Sequence, residues 1–484
     1  MQFNSYIFLL LFLPLSVTGY FLLHKAQKPT WAKAFLLGMS LWFYGFFNWY
    51  YFLIMMGSIV VNFGMNKIMS RSKKPAVRKT AFITGMALNI GILLYFKYTD
   101  FFIANINAVL GTQIPLLRLV LPLGISFYTF QQLGYMIDSY KGKVPNYSFL
   151  DYALFVSFFP QLVAGPIVLH SEIAPQFADE KKHRFSHENM LRGLYALGFG
   201  LAKKVLLADT LGLAVNWAYA SIPQLNSTSA LLAMLCYMLQ IYLDFSGYCD
   251  IATGAALMFN IELPVNFKSP YRAATIAGFW ERWHITLTRF FTTYVYIPLG
   301  GSRRGVARAC LNTMIVFTIS GFWHGAGWTY ILFGVAYGLM LVGCRIWKKQ
   351  IAKTPAWVLY PITFLLNLFN ISMFRANTIS DAVLLWKQLF RFDFGTVAPA
   401  MSQSVLITEF DIIMNNLLGG ALPEWLPLVL LAAFCMYAST GMKNVHERLA
   451  VFKPTFGRAA VAAVLIIWSV LSLSGVTTFL YFNF

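Results

Sequence analysis

Two histidines stand out by their surroundings. His324 lies inside the uncharged stretch 309–344, within Ser320-Gly321-Phe322-Trp323-His324-Gly325-Ala326-Gly327-Trp328. An ionisable side chain in a long apolar stretch is a functional candidate by default, because burying it is costly. Burial favours the neutral ring, which is the form a general base needs. The flanking glycines let the chain bend and let another backbone or a ligand come close. The competing reading is a hydrogen-bonded packing histidine at a helix break. His284 sits in Phe279-Trp280-Glu281-Arg282-Trp283-His284-Ile285-Thr286. It could orient a substrate or hold a thioester, or belong to an aromatic and basic cluster at headgroup level.

Charged residues precede and follow these histidines. Asp244 and Asp250 occur in Tyr242-Leu243-Asp244-Phe245-Ser246-Gly247-Tyr248-Cys249-Asp250, directly after a long apolar stretch. Buried carboxylates need partners, and Arg282 or Arg289 are expected to supply them. Their role would be structural, fixing a polar segment inside the protein. Lys268, Arg272, Arg289, Arg303 and Arg304 are candidates for the phosphates of an anionic cosubstrate, set against ordinary loop charge. There is no Walker loop and no GxGxxG, so nothing supports ATP hydrolysis or dinucleotide chemistry. The five cysteines lack CxxC spacing and sit in or beside apolar stretches, and no metal site is expected.

The elements that must position these residues are membrane helices. Of 484 residues, 58% are hydrophobic, 11% are charged and 45 are Phe. Soluble domains carry about 25% charged residues. The composition excludes a soluble enzyme, a disordered chain and a secreted disulfide scaffold, and leaves an all-α polytopic integral membrane protein. The net charge of +19 fits basic loops on the cytoplasmic side, and nucleic acid is not an expected partner.

Uncharged stretches at 1–24, 34–66, 80–96, 101–117, 119–137, 152–171, 210–243, 309–344, 354–374, 425–442 and 459–484 mark candidate spans. They predict about 10 to 12 transmembrane helices, some stretches holding two passes or a re-entrant hairpin. The basic loops 71–79, 181–184, 303–308, 345–353 and 443–458 belong in the cytoplasm. Lys25, Lys28 and Lys33 conflict with that orientation if 34–66 crosses once. A hairpin in 34–66, eased by Gly45 or Gly57, would remove the conflict. The last span, 459–484, would start in the cytoplasm and bring Tyr481 near the outer interface. Segment 244–308 is too polar for lipid contact, and Pro264, Pro270 and Pro298 break any long helix there. Irregular backbone at membrane depth survives only inside protein or along a cavity. With the His324 region it forms a polar core, 244–335, in an otherwise single membrane domain spanning 1–484.

Taken together, LPLGISFYTFQ (121–131), FFPQLVAGPI (158–167), YLDFSGYCDIATG (242–254), NFKSPYRA (266–273), FWERWHITL (279–287), YIPLGGSRRG (296–305) and SGFWHGAGWTYILFG (320–334) resemble the membrane-bound O-acyltransferase (MBOAT) family. Phe374-Arg375-Ala376 fits as well. The resemblance is to the bacterial branch that acetylates envelope polysaccharides such as peptidoglycan and alginate. It implies a ring of helices, with short and re-entrant ones, around a central acyl-CoA tunnel. It places the family's invariant histidine on His324 and its semi-invariant one on His284; Trp323, Asp244, Asp250 and Arg282 are expected to support them as a polar core. His324 would take a proton from a hydroxyl, whose oxygen then attacks the thioester of acetyl-CoA.

The ending Phe479-Leu480-Tyr481-Phe482-Asn483-Phe484 fits F-x-Y-x-x-F and is similar to a C-terminal tyrosine motif of envelope acylation systems. That resemblance implies an acyl carrier at Tyr481. A phenol has a pKa of about 10, so its ester is activated relative to a sugar ester. The alternative is an aromatic belt closing a span. The resemblance further implies the bacterial inner membrane and a periplasmic SGNH-type serine transferase as partner. Peptidoglycan N-acetylmuramic acid is the first acceptor expected, with alginate or another exopolysaccharide as the alternative. A transporter of a lipid-linked glycan and a scaffold are the rivals from other classes. The transporter would spread polar residues along a continuous path, whereas here they cluster.

Overall fold

The structure, a computed structural model, describes residues 1–405, 423–473 and 479–480. Among these, every regular element is a helix. Seven helices are long and apolar enough to cross a membrane: Ile7–Lys25, Trp49–Arg71, Pro75–Leu110, Ser227–Leu257, Val306–His324, Trp328–Ile346 and Ala356–Arg375. Leu426–Thr440 and Phe456–Leu471 are apolar but shorter. The all-helical polytopic architecture read from composition is present, with seven full-length spans among the described residues against the 10 to 12 expected.

Several uncharged stretches fold differently from single spans. Stretch 34–66 is a hairpin: Pro29–Gly45 and Trp49–Arg71 are separate helices. The Asn48 side chain accepts from the amides of Tyr50 and Tyr51, starting the second helix. Lys33 pairs with Asp151 at 2.8 Å, and Lys67 donates to Asn146 and to the Tyr147 carbonyl. Lys33, near the start of the hairpin, and Lys67, near its end, therefore reach the same segment, 146–151, and the orientation conflict disappears. Stretches 80–96 and 101–117 share the 36-residue helix Pro75–Leu110. Lys97 and Asp100, which seemed to separate two spans, sit inside it. Stretch 152–171 contains only short helices and irregular backbone, buried by protein along 152–168.

Helix Ser227–Leu257 is the buried axis, and Asp244 and Asp250 lie within it. The polar core therefore begins inside a continuous helix, which tolerates carboxylates because protein, not lipid, surrounds it. Helix His187–Leu201 packs along it through glycines. A Cβ on Gly254 would come within 2.6 Å of the Gly193 carbonyl, and one on Gly200 within 2.7 Å of the Gly247 carbonyl. Small residues allow this close approach of backbones. Between residues 258 and 305 the prolines act as expected, leaving only short helices such as Ile276–Trp280 and Ile285–Phe291. The last helix among the described residues ends at Leu471. Its end is capped from across the fold, where the Tyr6 hydroxyl donates to the carbonyls of Val470 and Leu473.

Candidate functional site

The stretch around His324 folds as an antiparallel helical hairpin, Val306–His324 and Trp328–Ile346, with 325–327 as its turn. His324 is the last residue of the first helix, so it lies at the hairpin tip and not in mid-span. The glycines make the hairpin tight. A Cβ on Gly321 would fall 2.4 Å from the Tyr330 carbonyl and 2.9 Å from Gly334 Cα.

A helix end leaves carbonyls without intrahelical partners. Helix Pro75–Leu110 supplies donors to them. Tyr98 donates from its hydroxyl to the Phe322 carbonyl at 2.8 Å. Lys97 donates to the carbonyls of Trp323 at 2.6 Å and His324 at 3.0 Å. A cation at a helix C-terminus also meets the negative end of the helix dipole. Sequence reasoning missed both residues. Their signal was present: Lys97 and Asp100 are the only charges in 80–117. Asp100 in turn accepts from the amides of Leu117 and Arg118, tying down the connection that follows.

Trp323 links the two histidines. Its ring lies 4.9 Å from that of His324 and 6.1 Å from that of His284, and stacks on Phe130 at 5.2 Å. His284 is fully buried and holds a left-handed backbone conformation, φ 44°. A non-glycine residue persists there only when its surroundings enforce it. Asn266 does so. Its side-chain oxygen lies 3.2 Å from His284 Nδ1 and accepts from the Thr286 amide and hydroxyl, while its backbone carbonyl accepts from Ile285. Thr286 Oγ1 also accepts from the Ile167 amide, joining segment 158–167 to the site.

Cavities flank His324 on two sides. One of about 20 Å³ lies among Ile241, Trp280, Trp283, Tyr337 and Phe374. Another of about 40 Å³ lies among Lys97, Trp323 and residues 121–127, next to the exposed segment 111–118. His324 lines both. A larger cavity of about 720 Å³ enters from Arg345 and Lys348 and reaches Ser320 and Trp280. Trp280 is thus shared between the entry cavity and the cavity at His324. The indole of Trp280 is the wall between the two, and the cavity at His324 has room for little more than a water molecule.

The buried carboxylates find partners other than those expected. Asp244 Oδ1 pairs with Lys204 at 2.7 Å, and Lys204 also pairs with Asp209 at 2.7 Å. Asp250 pairs with Lys203 at 2.6 Å. The glycine-mediated packing of the two helices brings the lysines within reach, a proximity that no sequence spacing reveals. Arg282 is instead exposed, and Arg289 forms a two-pronged pair with Glu172 and donates to the Ile167 carbonyl. Arg272 donates to the carbonyls of Thr440 and Met442. Lys268, Arg303 and Arg304 are exposed. The rim of the larger cavity is supplied by Arg345 and Lys348, from the basic stretch 345–353. Among the described residues, no group of three His, Cys, Asp or Glu is placed to hold a metal ion.

Tyr481 lies outside the described residues. Its two predecessors are described and point inward. The Leu480 amide donates to Asp244 Oδ2 at 3.1 Å, and the Phe479 ring packs on Tyr248 with Lys204 4.6 Å above it.

The model of the membrane-bound O-acyltransferase family matches residues 135–380. The chain is 36% identical to the peptidoglycan O-acetyltransferase of Helicobacter pylori, over all of this chain and 97% of that protein. It is 33% identical to the probable alginate O-acetylase AlgI of Pseudomonas aeruginosa, over 81% of this chain and 75% of that one. It is 26% identical to the teichoic acid D-alanyltransferase of Bacillus subtilis, over 49% of this chain and 62% of that one.

Proposed function

The chain belongs to the membrane-bound O-acyltransferase family and is a multi-pass membrane acyltransferase, and from that premise we propose that it exports acetyl groups for O-acetylation of peptidoglycan. Acetyl-CoA is the donor, bound from the basic end, and the bacterial inner membrane is the setting. The observation that carries this reading is that His324 lines cavities on both of its faces, one adjoining the entry cavity at Trp280 and one adjoining segment 111–118.

His324 acts as general base. It takes the proton of an acceptor hydroxyl as that oxygen attacks the thioester carbonyl, giving a tetrahedral intermediate. Collapse breaks the carbon–sulfur bond, and the departing CoA thiolate takes the proton back from the imidazolium. His284, Asn266 and Trp323 hold the ring in place. The acetyl group changes sides while CoA stays where it entered. The first acceptor is the hydroxyl of Tyr481, supported by the inward seating of Phe479 and Leu480 against Asp244 and Lys204. The acetyl-tyrosine then donates to the serine of a periplasmic transferase, which reaches the polymer.

The acceptor is tested by deleting the gene and measuring O-acetyl groups on muramic acid. Loss on deletion, restored by the wild-type gene and not by His324→Ala, supports peptidoglycan. An unchanged muramic acid profile with loss of acetyl from an exopolysaccharide moves the assignment to the alternative that the alginate O-acetylase relatives suggest.

A further inference from the structure

A large cleft takes no part in the chemistry above. It is a cleft of about 1230 Å³ that shares no lining residue with the cavities at His324. Its walls are apolar, with Leu13 and Val17 on helix Ile7–Lys25, Leu194 and Leu197 on helix His187–Leu201, and Ile466 on helix Phe456–Leu471. Along Ile7–Lys25 the wall runs about 20 Å, more than the about 15 Å of hydrocarbon in one leaflet.

One end of the cleft has a different character. It is rimmed by His24, Lys25, His183 and Arg184, with Glu180 the one acid among them. This rim is built and not merely adjacent. Asn260, itself buried, donates from its side-chain nitrogen to the carbonyls of Lys182 and Arg184 at 2.9 and 2.8 Å, fixing the 182–184 turn. The rings of His183 and His24 stack at 4.1 Å, tying that turn to the helix that forms the wall. Phe185 packs edge-on against Phe21 just inside the rim.

We propose that this cleft is a binding site for an anionic glycerophospholipid, the phosphate held by Lys25 and Arg184 and the acyl chains lying along Leu13, Val17 and Ile466. Apolar walls of membrane-leaflet length below a cationic rim match the two halves of such a lipid. Basic side chains at headgroup level attract anionic lipids over zwitterionic ones. The bound lipid fills the space between helices Ile7–Lys25 and Phe456–Leu471, so it also joins the first and last long helices among the described residues.

The test uses the full-length protein in nanodiscs of phosphatidylglycerol or of phosphatidylcholine, released into native mass spectrometry. Wild-type protein is expected to retain phosphatidylglycerol at least tenfold over phosphatidylcholine. Lys25→Gln/Arg184→Gln is expected to lose that preference while eluting as wild type on size exclusion. Lys349→Gln/Lys353→Gln, on a remote basic segment, is expected to keep it. Filling the cleft with Val17→Trp is expected to reduce retention of both lipids. Equal retention of the two lipids by wild type overturns the proposal. So does loss of preference in the remote variant, which would mark general charge attraction without a site.

Discussion

The ammonium of Lys97 lies 3.0 Å from the backbone carbonyl oxygen of His324 and 2.6 Å from that of Trp323. One long helix thus grips the end of the helix that carries the histidine. The grip fixes where the imidazole starts from, because His324 is the last helical residue and would otherwise sit on a frayed turn.

Replacing Lys97 with Met keeps most of the length of the side chain and removes the donors. A small displacement of a catalytic group costs about a hundredfold in rate. Lys97→Met is therefore expected to lower kcat by ten- to a hundredfold with KM for acetyl-CoA changed less than threefold. Lys97→Arg should recover part of the rate. Steady-state CoA release reads both. A KM effect alone would place Lys97 in donor binding instead.

The hairpin closes through Gly321, and an added methyl would press on the Tyr330 carbonyl at 2.4 Å. Overpacking of this kind costs about 1–3 kcal/mol. Gly321→Ala should lower the thermal midpoint in detergent and reduce activity together, whereas Gly57→Ala, which meets nothing within 4 Å, should leave both near wild type.

Lys204 is almost wholly buried between Asp244 and Asp209. Removing one member of a buried pair costs about 3–5 kcal/mol, since it strands the other charge. Lys204→Met should be strongly destabilising, and Lys204→Met/Asp244→Asn less so than the two single changes added together. Thermal unfolding of the four proteins measures this. Simple additivity would contradict a coupled pair.

Trp280 separates the entry cavity from the small cavity at His324. A pocket wall discriminates by about 1–3 kcal/mol per methylene. Trp280→Phe should therefore raise the butyryl to acetyl ratio of kcat/KM by about tenfold. An unchanged ratio would show that acyl size is set elsewhere.

Much of this was legible in the chain itself. Charge depletion gave the membrane class, and the motifs around His324 and His284 marked the two rings that Trp323 joins. What escaped detection depended on contacts distant in sequence. Lys97 reaches His324 across more than two hundred residues, and Lys203 and Lys204 reach Asp250 and Asp244 only because glycines let two helices touch. Arginine identity suggested partners for those carboxylates, but Arg289 was already engaged by Glu172. Uncharged length also misled. It counted Lys97 and Asp100 as a break between spans, when both charges are satisfied inside one helix.

The central claim is that His324 activates an oxygen for attack on acetyl-CoA. Purified protein is incubated with isotopically labelled acetyl-CoA and analysed by peptide mass spectrometry, comparing wild type, His324→Ala and Tyr481→Phe. Label is expected on the C-terminal peptide of wild type and on neither variant, with CoA release in His324→Ala reduced at least a hundredfold. Wild-type labelling and CoA release in His324→Ala would contradict it.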